Sequence, residues 1–143
     1  MGKDKNRRIM KRMILTGLLV GLLSVGVASY HSAQEPKQLK MICIPKIIDP
    51  NNEFWTALIA GARMAAQEHN IELTVVAPDR EEYYEKQNEL ILQAINQNPD
   101  VILISPSHYT KTLEAVKEVR KKGIKIVFID SEVEEPVWDC IVA

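Results

Sequence analysis

Two cysteines, two tryptophans, two phenylalanines and three histidines are all that 143 residues supply of those types. A chain so poor in cysteine is not a disulfide scaffold. No G-x-G-x-x-G string follows a strand and no G-K-[ST] loop occurs, which excludes the common phosphate-cradling nucleotide sites. The cysteines, Cys43 and Cys140, form no C-x-x-C pair, and His31, His69 and His108 lack the spacing of metal ligands. No metal and no cofactor is expected. Nor is there a constellation of nucleophile, base and orienting group, so the chain reads as a binder and not an enzyme.

Charge is missing altogether from Met13 to Tyr30, an apolar run just after a segment dense in it. Between residues 3 and 12 lie Lys3, Lys5, Arg7, Arg8, Lys11 and Arg12, against Asp4 alone. A basic stretch before a short apolar run is the layout of a secretory signal, and its length also sits at the lower edge of what spans a bilayer. Residues 1–33 are therefore expected to meet the membrane, as a cleaved signal peptide or as an uncleaved N-terminal anchor. In either case the basic flank stays in the cytoplasm and the rest of the chain is extracytoplasmic. Cleavage would fall after Ala28 or Ser29. No cysteine stands there to carry a lipid, and Arg7-Arg8 reads as ordinary n-region charge.

The whole chain has 18 Lys and Arg against 19 Asp and Glu. Without the six basic residues and one acidic residue of that segment, 12 face 18, a net charge of −6. Nucleic acid, which needs a basic face, is excluded as a partner.

Residues 34–38 form a short polar linker, and residues 39–143 alternate strand and helix. The spacing predicts strands at Lys40–Pro45, Ile71–Val76, Val101–Ser105 and Ile124–Asp130, with a fifth from Cys140. Their near-continuous apolar runs predict a parallel sheet buried on both faces. The first helix should start at Asn51 or Asn52, bury Phe54, Leu58, Ala62 and Ala65, lie close to the sheet through Gly61, and end at His69-Asn70. The second should open on an Asp79 cap with Glu82 three residues on, bury Tyr84, Ile91 and Ile95, and stop at Asn98-Pro99. The third should begin near Ser107 or Thr110, bury Leu113, Val116 and Val119, and end at Gly123. The expected fold is α/β, a three-layer Rossmann-like (flavodoxin-like) sandwich with strand order 2-1-3-4-5. That order separates Cys43 from Cys140 by about 14 Å at ~4.8 Å per strand, too far for a disulfide, which needs Cα atoms within ~7 Å. Two buried free thiols are expected.

In such a sheet ligands bind beyond the carboxyl ends of the strands, near the switch point. Lys46, Asp49, Asn52, Phe54 and Trp55 follow the first strand, Ser107 and His108 the third, and Asp130 and Ser131 the fourth. Aromatic faces set among amides and carboxylates suit a sugar ring, with its apolar C–H faces and hydroxyl rim. The bland reading of Phe54 and Trp55 is that they pack on the sheet. An Asp at position 130 can equally cap the following loop. A phosphoacceptor receiver would need Asp at the end of the third strand, where Ser105 stands.

The strings DPNNEFW (49–55), GARMAA (61–66) and IDS (129–131), in that order, resemble the sugar-type periplasmic binding proteins of ABC transporters. These share a fold with ribose-binding proteins and the sensor domains of LacI-type repressors. The resemblance covers residues 38–143. It implies a periplasmic binding protein type I lobe, ending early in the fifth strand as a truncated N-terminal lobe without the second. It assigns Lys46, Asn52, Phe54 and Trp55 to the ligand. His108 stands where relatives usually carry an Asp that bonds sugar hydroxyls, and Asp130 is a hydroxyl acceptor. The function implied is an extracytoplasmic solute-binding protein delivering a sugar or sugar-like molecule to an ABC-type permease. The alternative is a membrane-anchored sensing module coupled to a histidine kinase or chemoreceptor. A repressor sensor domain is disfavoured, because a basic-then-apolar segment replaces the DNA-reading helices.

Overall fold

A computed structural model describes residues 37–142. The signal or anchor expected at residues 1–33, and most of the linker, lie outside the described residues. The strands are β1 (Lys40–Ile44), β2 (Glu72–Val75), β3 (Val101–Ile104), β4 (Lys125–Ile129) and β5 (Cys140–Val142). The helices are α1 (Glu53–Glu68), α2 (Tyr84–Ile95) and α3 (Leu113–Lys121). All five strands are parallel in the order β2-β1-β3-β4-β5, so the chain turns back across the sheet at β1 and β3. The α/β parallel sandwich of the sequence is the observed one.

Alternation along the strands decides the core. Ile42 and Ile44, Ile102 and Ile104, and Ile126 and Phe128 point to one face, where they are fully buried. There they meet Ile91, Ala94 and Ile95 of α2 and Leu113, Val116 and Val119 of α3. Among the described residues the opposite face carries only α1, which packs along β2. Val101, Leu103, Val127 and Ile129 on that side are only half-buried, and β5 is exposed. Burial on both faces therefore holds for β1 but not for the sheet. A helix about 10 Å wide covers roughly two strands spaced ~4.8 Å apart, and five strands need more than one.

Four local expectations change. In α1 the buried row is Trp55, Ile59 and Ala66, with Leu58 and Ala62 half-buried; Phe54 and Ala65 face outward. Gly61 is exposed too, with nothing within 4 Å of where a Cβ would stand, so it does not draw the helix onto the sheet. α2 starts at Tyr84 with no side-chain cap, and the Asp79–Glu82 box does not form. Glu81 is drawn instead to the Trp55 indole, and the Tyr83 N–H closes a turn on the Arg80 carbonyl. Cys43 is buried as expected, but Cys140 is exposed because β5 is an edge strand; both are free.

The start of α1 and the three helix stops follow the sequence, whereas α3 begins only at Leu113. Asn52 caps α1 through its side-chain oxygen, which accepts from the Trp55 N–H at 3.3 Å. Asn70 (φ 52°), Asn98 (φ 51°) and Gly123 (φ 73°) take the left-handed turn after α1, α2 and α3.

Candidate functional site

At the carboxyl edge of the sheet, polar side chains from three strand ends converge. Lys46, two residues past β1, places Nζ 2.9 Å from Oδ2 of Asp130, the residue after β4. The pair is part-exposed, Lys46 at 21% and Asp130 at 37% of the side chain. The Ser105 hydroxyl, at the end of β3, lies 3.4 Å from the same Asp130 oxygen and 3.1 Å from the Ser131 hydroxyl. Ser131 also donates to the Pro106 carbonyl at 3.0 Å. Asp130 adopts φ 66°, in the left-handed region that Asp and Asn enter more readily than other non-glycine residues.

The β1–α1 loop, which carries Lys46, is held by its own hydrogen bonds. The Asp49 carboxylate accepts from the Asn51 backbone N–H at 2.9 Å, and the Asp49 carbonyl accepts from the Asn52 N–H at 3.1 Å and the Thr56 hydroxyl at 3.2 Å. Asp49 is therefore occupied in shaping the loop, and Asn52 in capping α1. The two aromatics part company. Phe54 is 52% exposed, whereas Trp55 is 3% exposed, with its indole N–H on Glu81. The rings meet edge-on at 4.7 Å. Trp55 supports Phe54 from the core and presents no open face of its own; this is the packing role set beside the stacking role in the sequence.

His108 is tied to its own turn. Its Nδ1 accepts from the backbone N–H groups of Thr110 (3.2 Å) and Lys111 (3.3 Å), which leaves the ring proton on Nε2. Its ring lies edge-on to Tyr84 at 5.1 Å. A turn-capping histidine thus stands at the position where, by the resemblance, relatives carry a hydroxyl-binding Asp. The buried Ser107 hydroxyl has no partner among the described residues.

Two contributors carry only a faint signal in the sequence. Ser105 stands where a receiver domain would need Asp, and Gln87 is a polar residue in the inward row of α2, Gln87-Ile91-Ala94-Ile95. Its side chain is fully buried and binds the ends of both β1 and β3. Among the described residues no group of three His, Cys, Asp or Glu could hold a metal ion.

Residues 47–143 match the family described as periplasmic binding protein domain. The chain belongs to the periplasmic binding protein family. A sugar transporter from Clostridium phytofermentans is 48% identical to this periplasmic binding protein chain, with a TM-score of 0.73 over 74% of this chain and 39% of that one. An ABC transporter solute-binding protein from Agrobacterium vitis with bound D-fucose is 26% identical, with a TM-score of 0.64 over 73% and 37%. The chain thus spans well under half the length of these relatives. A 114-residue stretch is also 30% identical to diphthine synthase of Methanococcus maripaludis, over 77% of this chain and 43% of that enzyme. The 48% identity and the family match weigh more than that one, and the family and its structural neighbours are solute-binding proteins, not enzymes.

Proposed function

We propose that this chain contributes one lobe of an extracytoplasmic solute-binding protein that takes a neutral sugar or sugar-like molecule for an ABC-type importer. The observation that carries the reading is the Lys46–Asp130 pair, with the Ser105 hydroxyl on Asp130 and the Ser131 hydroxyl on Ser105, while the exposed Phe54 ring opens the helix that follows the same strand as Lys46. A paired cation and anion offer both a donor and an acceptor to vicinal hydroxyls while adding no net charge, which suits a polyol better than a sugar acid or phosphate. Phe54 supplies an apolar face for the ring C–H groups. The identity to a sugar transporter supports uptake over sensing, and D-fucose in a more distant relative supports a monosaccharide. The permease as partner and the extracytoplasmic location come with the family. Attachment to or passage through the membrane rests on residues 1–33; among the described residues no helix is long and apolar enough to cross one.

Titrating the 15N-labelled chain with D-fucose, D-allose, D-arabinose and D-ribose tests this. Saturable amide shifts confined to residues 46–55, 105–108 and 130–131 are expected for at least one sugar. Shifts centred elsewhere, or none at tens of millimolar, would remove the sugar reading.

A further inference from the structure

In a parallel ladder a residue brackets its neighbour's partner, with its N–H bonded to the residue before that partner and its C=O to the residue after. Ile44 of β1 faces Ile104 of β3, and its carbonyl accepts from the Ser105 N–H at 3.1 Å. If β1 continued, the next residue to serve this ladder would be Lys46. Its N–H would go to the Ser105 carbonyl, and its carbonyl would take the Ser107 N–H, bracketing Pro106.

Those two bonds are made, but not by Lys46. Gln87, from the first turn of α2, donates from Nε2 to the Ser105 carbonyl at 2.9 Å. Its Oε1 accepts from the Ser107 N–H at 2.8 Å. Nε2 also lies 3.4 Å from the Pro45 carbonyl. A carboxamide has the donor and acceptor of a peptide group, so the side chain can fill the place of a backbone unit. We propose that Gln87 is a positioning residue of the site: its amide substitutes for the Lys46 peptide in the β1–β3 ladder and so releases Lys46 to reach Asp130.

The geometry explains why a release is needed. β3 lies between β1 and β4, and Lys46 must pass over it, roughly two strand spacings of ~4.8 Å, to reach Asp130. Held in the ladder at β3, its backbone could not also lift away. Leaving the ladder without a replacement would strand the buried Ser105 carbonyl and Ser107 N–H, a costly outcome in a dry interior. Gln87, with no exposed surface, satisfies both. It also fixes the strand end from which Ser105 reaches Asp130 and Ser131.

The placement stands on hydrogen bonds alone; its consequence for ligand rests on the sugar-binding reading, and the two are separated by experiment. In the full chain, Gln87→Met keeps the volume and removes the amide. Amide exchange at Ser107 should quicken by about tenfold or more, the scale of one lost hydrogen bond, and the Asp130 carboxyl carbon resonance should move as Lys46 departs. Ile91→Val, a core trim on the same helix, should loosen amides evenly without singling out Ser107. Gln87→Glu supplies a second test. A buried Glu is driven towards its neutral form, which has one donor and one acceptor. The neutral form should therefore keep both bonds at pH 5, whereas the carboxylate at pH 8 still accepts from the Ser107 N–H but cannot donate to the Ser105 carbonyl. The Ser105 carbonyl carbon resonance should shift between the two pH values in Gln87→Glu and not in the parent. Unchanged Ser107 protection in Gln87→Met, or the same pattern of loosening in Gln87→Met and Ile91→Val, would overturn the proposal. Sugar binding, read on the same spectra with D-fucose, D-allose and D-arabinose, should weaken at least tenfold in Gln87→Met. A parent that binds none of them would count against the sugar reading and leave the exchange result to decide the role of Gln87.

Discussion

Lys46 and Asp130 meet at 2.9 Å although they stand 84 positions apart in the chain and β3 lies between their strands. The contact ties the loop after β1 to the residue after β4 across the carboxyl edge of the sheet. Asn tolerates φ 66° better than any residue but glycine, so Asp130→Asn keeps the backbone and removes only the charge. Its unfolding midpoint in urea should stay close to that of the parent. Its affinity for sugar should fall about 10- to 100-fold, since a charge-assisted hydrogen bond contributes ~1.5–3 kcal/mol. An unchanged affinity would take Asp130 out of the site.

Phe54 and Trp55, adjacent in sequence, should respond in opposite ways. Phe54→Ala leaves the core alone and should weaken sugar binding with little effect on stability. Trp55→Ala opens a core site and should cost roughly 3–5 kcal/mol in urea denaturation. Trp55→Phe, which keeps most of the ring but loses the bond to Glu81, should cost less. A Phe54→Ala chain as destabilised as Trp55→Ala would return both rings to a packing role.

The thiols differ as sharply. Burial raises the Cys43 thiol to about 11, so almost no thiolate forms at neutral pH and no reagent can approach. Cys140 stands exposed on β5. One equivalent of a thiol reagent should react quickly in native buffer, and the second only on unfolding. Rapid loss of both would mean that β1 opens readily.

Two glycines give opposite signs. At Gly61 an added Cβ meets nothing, and Gly61→Ala should stabilise the chain by about 0.5–1 kcal/mol through helix propensity. Gly123 holds φ 73°, where Gly123→Ala should destabilise by about 1 kcal/mol, even though space is open there too. Urea midpoints of the two variants, measured together, check the pair.

Asp139 sets an acid limit. Its carboxylate accepts from the Ile126 N–H at 2.9 Å, then from Lys125 at 3.1 Å, with Arg120 at 3.4 Å, and these hold its pKa below the ordinary value. A group with a lowered folded pKa stabilises fully above its unfolded value, about 4. That contribution is lost as pH falls through the lowered folded value. Asp139→Asn should be less stable than the parent at pH 6, and the difference should shrink towards pH 2. A constant difference across that range would assign the loss to geometry and not to charge.

The sequence by itself determined the order of elements, the parallel sheet and its 2-1-3-4-5 strand order, because apolar runs, Asn and Gly stops and short connections leave few alternatives. It also placed Lys46, Asn52, Phe54, Trp55, His108 and Asp130 near strand ends and helix starts, where ligands are bound in such sheets. What it could not supply was which atom of each residue is already taken. Asn52 is occupied by capping, His108 by its own turn, and Trp55 by Glu81, while Phe54, its neighbour, stays open. A one-residue rotation of α1 reversed the two aromatics, because helix periodicity defines a face but not which side chain best fills the gap against β2. Only the tertiary structure brought Gln87 into the β1–β3 ladder and Lys46 across β3 to Asp130. Those contacts join residues 18 to 84 apart in the chain, and no local pattern encodes a hydrogen bond made between the end of one strand and the start of a distant helix.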